Sequence, residues 1–149
     1  MKISMLLGFV ASLLSGLCFL CVAQSKPGKP ESASVYEELE KAPAKYRTKV
    51  NPLAKDKDAV AAGKVLFEEH CAECHGENAL GTKKAPSLRA SEVQTAPPGS
   101  LFWVLTNGIV RKGMPVWSKL PEPQRWQLAT YIQSLGPAEA TEGKTPAKP

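Results

Sequence analysis

Two cysteines three positions apart with a histidine directly behind them, Cys71-Ala-Glu-Cys74-His75, constrain this chain more than any other feature. The segment around them, Pro52 to Gly136, is about 85 residues long. A domain this short buries only a modest core and leans on a covalent staple, a metal or a cofactor. A disulfide between Cys71 and Cys74 would close almost no loop, so the staple must be something else.

The other cysteines, Cys18 and Cys21, sit in MKISMLLGFVASLLSGLCFLCVA, residues 1–23. One lysine, an apolar run and small residues read as a secretory signal, with Cys21-Val22-Ala23 as a cleavage site before Gln24. Both cysteines then leave with it as small hydrophobes. Because the run from Ile3 to Ala23 also reaches the roughly 20 residues that span a bilayer, an uncleaved anchor is the alternative. Leu17 and Leu20 stand where a lipid-attachment site wants a small residue. Each reading puts the rest of the chain outside the cytoplasm, in the periplasm or its equivalent. Residues 24–51 read as a flexible lead-in with a short helix around Val35 to Leu39, and 137–149 as a disordered tail.

Cys-x-x-Cys-His is the attachment pattern for c-type haem. The thiols add to two vinyl groups on one porphyrin edge, and the histidine turns under the ring toward iron. A thioredoxin-like redox pair would want a βαβ context, which is missing. Structural zinc needs four N or S ligands, and Cys71, Cys74, His70 and His75 are crowded into six residues. The reading is one covalent haem c on Cys71 and Cys74, with His75 as iron ligand. Met1 and Met5 belong to the N-terminal segment, which leaves Met114 as the soft second ligand. It lies in a loop between permissive Gly113 and stiffening Pro115 rather than on a helical stripe. His70 abuts the attachment point and reads as a solvated helix-end residue.

Helical signals surround the motif. Residues 58–73 carry the stripe Val60, Gly63, Phe67 and Cys71, with Asp58 as cap. Residues 121–136 carry Leu128, Tyr131, Ile132 and Leu135, between Pro121 and Gly136. Residues 100–108 form a third helix, with Ser100 as cap and Gly108 as stop. With no strand alternation the domain is all-α, three or more short helices and long loops around one haem.

These residues together resemble class I cytochrome c, in its compact bacterial monohaem form. The likeness covers residues 52–136 and rests on Cys71-x-x-Cys74-His75, Pro86-x-Leu88, Gly113-Met114-Pro115 and the paired terminal helices. It implies the cytochrome c fold, with Gly63 against Tyr131 where those helices cross. It also implies that the Pro86 carbonyl accepts the free N–H of His75. Leu88, Trp103 and Trp117 would pack the haem pocket, and Arg89 and Arg111 are candidate propionate partners.

With His75 and Met114 both on iron there is no open coordination site, so the expected work is one-electron transfer between redox partners rather than catalysis. The alternatives are a haem sensor or peroxidase-like enzyme with a displaceable Met114, and a tethered subunit of a dehydrogenase or oxidase complex. Of 19 basic residues only Lys2 lies in the N-terminal segment, so the remainder outnumber the 14 acidic ones by four. Lys83, Lys84, Arg111 and Lys112 are expected to ring the haem edge and steer acidic redox proteins onto it. Nucleic acid is not an expected partner, and a membrane is one only if the N-terminal segment is retained.

Overall fold

A side chain at Gly63 would destroy the central helix crossing. A Cβ built there lands on the Gln127 carbonyl and 2.8 Å from the Tyr131 Cβ. Helices α3 (Lys57–His70) and α7 (Glu122–Ser134) therefore meet backbone to backbone, as expected from the resemblance. Around this point Phe67 and Leu128 are fully buried, and the Phe67 and Tyr131 rings pack tilted with centroids 5.4 Å apart. The computed structural model describes residues 31–138. The N-terminal segment 1–23, the first part of the lead-in and the tail beyond 138 lie outside the described residues.

Both ends of α3 differ from the sequence reading. The cap is Asp56, whose carboxylate accepts from the Asp58 and Ala59 amides at 2.8 and 3.1 Å. Asp58 instead lies in the first turn, where its charge suits the helix dipole. Helix α3 ends at His70 because Cys71 leaves helical geometry at φ −122° and ψ −33°, and a separate turn, α4 (Ala72–His75), carries the rest of the motif. Helix α7 buries Trp126 and every residue from Leu128 to Ile132, so it is enclosed rather than one-faced.

Helix α6 (Pro98–Asn107) starts before the expected Ser100. Pro97 and Pro98 open it, since a proline at a first turn gives up no intrahelical bond. Ser100 is inside the helix and wholly buried rather than a cap. Phe102 stacks on Trp126 at 4.2 Å, joining α6 to α7. Gly108 ends α6 at φ +65°, and a Cβ there would strike the Pro115 backbone, so the following loop is folded tightly back. Among the described residues there is no strand, only an isolated antiparallel bridge between Ile109 and Met114.

Packing reaches back past residue 52, the boundary read from composition. Helices α1 (Glu31–Glu40) and α2 (Ala44–Arg47) precede it, with α5 (Ser91–Gln94) later in the chain. Ala42 is buried, and buried Asn51 donates through Nδ2 to the Thr130 hydroxyl at 2.8 Å. Tyr36 donates to the Ser87 carbonyl at 2.9 Å. Lysine and proline content hid these anchors, each of which is a single residue.

Gly63→Val should lower the free energy of unfolding by about 1–3 kcal/mol through overpacking at the crossing. Chemical denaturation monitored by circular dichroism measures it, and an unshifted midpoint would refute the backbone-to-backbone contact.

Candidate cofactor site

Cys71 caps α4, and the amides of Cys74 and His75 return to its carbonyl at 3.1 and 2.9 Å. That single turn places both thiols and the imidazole within one helical repeat. Cys71 is buried, Cys74 is exposed, and both are free thiols. Burial, with a smaller contribution from Cys74, pushes the Cys71 thiol up to about 11. A redox Cys-x-x-Cys needs the opposite shift, toward thiolate.

The loop after α4 folds back onto it. Gly81 N donates to the His75 carbonyl at 2.8 Å, and the Thr82 hydroxyl donates to the Cys74 carbonyl at 2.6 Å. Leu88 N closes the loop on the Ala79 carbonyl at 2.9 Å. Ala79 sits at φ +57° with no exposed surface, a conformation no sequence signal marks. The loop brings the Pro86 carbonyl 2.8 Å from His75 Nδ1. A carbonyl only accepts, so Nδ1 carries the hydrogen and Nε2 keeps its lone pair, the tautomer a metal ligand needs. Burial, the larger effect, pushes the imidazole's pKa below its ordinary value, and the Pro86 bond works against that. The ring is held neutral.

Met114 lies across the tight loop from Ile109, and their backbones exchange bonds at 3.0 and 3.2 Å. Gly113 before it is left-handed at φ +88°. A cavity of about 710 Å³ is lined by all six expected site residues, Cys71, Cys74, His75, Pro86, Leu88 and Met114, over an apolar floor including Leu101 and Ile132. Its size falls in the roughly 300–1,000 Å³ range of cofactor clefts. Two thiols, an imidazole with a free lone pair and a thioether in one apolar cleft are a donor set that fits haem c. Among the described residues no group of three or more His, Cys, Asp or Glu side chains is placed to hold a metal ion, so a tetrahedral zinc set is not assembled.

Several residues land elsewhere than expected. His70 is not a solvated bystander. It lines the cavity and packs on Trp117, with ring centroids 5.2 Å apart. Trp117 lines the cavity, whereas Trp103 and Arg111 do not. Arg89 turns away to the end of α7, where its guanidinium donates to the Leu135, Gly136 and Pro137 carbonyls at 3.0 to 3.2 Å. Lys83, Lys84 and Lys112 line the mouth, with Lys84 paired to Glu73 at 2.8 Å. Tyr36, Glu38 and Leu39 of α1 also line the cavity, and nothing in the lead-in's composition points to them.

A family model described as cytochrome c oxidase, cbb3-type, subunit III matches residues 58–132. The cbb3-type cytochrome c oxidase subunit CcoP of Azospirillum brasilense is 34% identical over 102 residues, covering 62% of this chain and 34% of that protein. The CcoP of Rubrivivax gelatinosus is 29% identical over 122 residues, covering 80% of this chain and 38% of its own. The chain thus spans about a third of the length of the curated relatives it matches. Among solved structures, cytochrome CL of Methylophaga aminisulfidivorans shares the fold at a TM-score of 0.50 and 22% identity, over 82% of this chain and 86% of that one.

Arg89→Leu should lower stability by about 1–3 kcal/mol, the worth of charge-assisted bonds to carbonyls. The midpoint potential should stay within error of wild type, and a large shift in voltammetry would return Arg89 to the cofactor.

Proposed function

Since this chain belongs to the cytochrome c oxidase, cbb3-type, subunit III family, we propose that it holds one haem c on Cys71 and Cys74, with His75 and Met114 as axial ligands. It is a c-type cytochrome with the all-α fold of class I, and it carries electrons rather than transforming a substrate. The single observation that carries the ligand reading is His75, buried beside the two thiols with Nδ1 fixed on Pro86 and Nε2 free, in a cavity shared with Met114.

Bound haem supplies a one-electron couple, whose potential a methionine ligand raises. The chain's part is to hold that couple still. Pro86 orients the imidazole and fixes its tautomer, while burial keeps it neutral. Ile109 holds the Met114 backbone through a reciprocal pair of bonds, which fixes where the side chain starts and supports a steady ligand. Apolar walls, Leu88 among them, exclude water and keep the environment similar in both oxidation states.

The relatives' names favour a further reading, that the chain serves an oxidase complex as an electron-delivering subunit. Its partners are then redox proteins, met through the Lys83, Lys84 and Lys112 mouth by acidic faces. It works on the extracytoplasmic side, with residues 1–23 a removed signal or a retained anchor. Among the described residues no helix is long and apolar enough to cross a membrane.

Met114→Ala should abolish the thioether-to-iron absorption band at the red end of the oxidised spectrum and let the reduced protein bind carbon monoxide. A retained band would overturn the ligand assignment. Electron exchange with an acidic redox protein should slow about tenfold from low to high salt, a measure of the lysine mouth.

A further inference from the structure

Helix α1 lies before the stretch that the family model matches, yet it forms part of the cavity wall through Tyr36, Glu38 and Leu39. It engages the two loops that bear on iron. On one side the Tyr36 hydroxyl donates to the Ser87 carbonyl at 2.9 Å, one residue beyond the carbonyl that holds His75. On the other the Glu38 carboxylate, paired with Lys41 at 2.7 Å, stands 4.0 Å from the Lys112 ammonium, two residues before Met114. Fifty-one residues separate Tyr36 from Ser87, so this bond is a tertiary tie and not a local turn.

We propose that Tyr36 is a positioning residue for the proximal ligand, holding the Pro86–Leu88 loop so that the Pro86 carbonyl stays on His75 Nδ1. The inference rests on His75 being the iron ligand. Within the loop the Ser87 hydroxyl donates to the Ala79 carbonyl at 3.3 Å and Leu88 N to the same carbonyl at 2.9 Å, while Arg89 N donates to Ser87 Oγ at 3.1 Å and Gln94 Nε2 to the Leu88 carbonyl at 2.7 Å. The Ser87 carbonyl, next in the chain to the one on His75, is held from α1. A carbonyl that drifts from Nδ1 loses alignment steeply, because hydrogen bonds weaken sharply with angle. A looser Nδ1–H exchanges faster with water and makes the imidazole a poorer electron donor to iron, which raises the reduction potential.

The test uses the full haem-loaded chain, first shown to have the methionine-ligand band; its absence would defeat the ligand reading rather than this one. Tyr36→Phe removes the hydroxyl and keeps the ring on the cavity wall. Solvent exchange of the His75 Nδ1 proton in the reduced protein, followed by NMR, should accelerate roughly fivefold, the equilibrium worth of one such bond. The potential should rise, while amides of the α3–α7 crossing exchange as in wild type. Lys41→Gln, at an exposed position outside the cavity lining that leaves the Ser87 tie intact, should not change the Nδ1 proton. Unchanged Nδ1 exchange in Tyr36→Phe would overturn the proposal. So would acceleration matched by the crossing amides, since that would make the tyrosine merely stabilising.

Discussion

The close approach of α3 and α7 at Gly63 is the constraint on which everything else in this molecule is hung. With no Cβ between them the two backbones touch, and the line of α3 beyond that point is determined. Phe67, one turn on, lands against Tyr131, and Cys71, one turn further, is delivered to the edge of the cavity. Ile132, on the opposing helix, becomes part of the cavity floor. The helix contact and the attachment site are thus two ends of one rigid piece. A wider crossing would move the first thiol outward before any residue of the motif itself was altered.

A second element is built on that piece without any helix of its own. The loop from Gly76 to Leu88 runs back over α4 largely on backbone bonds, with side-chain ties from Thr82 to the Cys74 carbonyl, Ser87 to the Ala79 carbonyl and Lys84 to Glu73. Its product is the placement of one carbonyl. Such a loop is less rigid than a helix, and this is where the tie from α1 acts. The division of labour is physical: helices set the thiols, whereas a hydrogen-bonded imidazole requires a second layer of support.

What could be read in the sequence was what depends on periodicity or on rare residue types. Cys71, Cys74 and His75 announce themselves by spacing, and the stripes of α3 and α7 by their apolar repeat. Met114 stood out by elimination, and Gly63 and Pro86 through resemblance. The misreadings have a common cause. Asp56 rather than Asp58 caps α3, and Pro97 rather than Ser100 opens α6, because each stretch offers more than one start signal within a few residues and tertiary packing chooses. A long cationic side chain such as Arg89 carries no address in its sequence, and here its guanidinium is taken up by the carbonyls at the end of α7. Tyr36 was invisible for a different reason: one anchoring residue in a lysine-rich segment has no period to detect.

The cavity itself argues that fold and cofactor are one cooperative unit. The cleft of about 710 Å³ takes up much of the inner apolar surface that a domain this small depends on burying. Along that inner wall Leu88, Leu101 and Ile132 offer water no hydrogen bonds, whereas Glu38, Lys83, Lys84 and Lys112 elsewhere in the lining do. An apolar macrocycle would cover those walls, and covalent links to it would prevent its loss however far the chain opened. A domain of short helices around such a cleft therefore has a physical reason to hold a haem covalently, independent of any electron it carries.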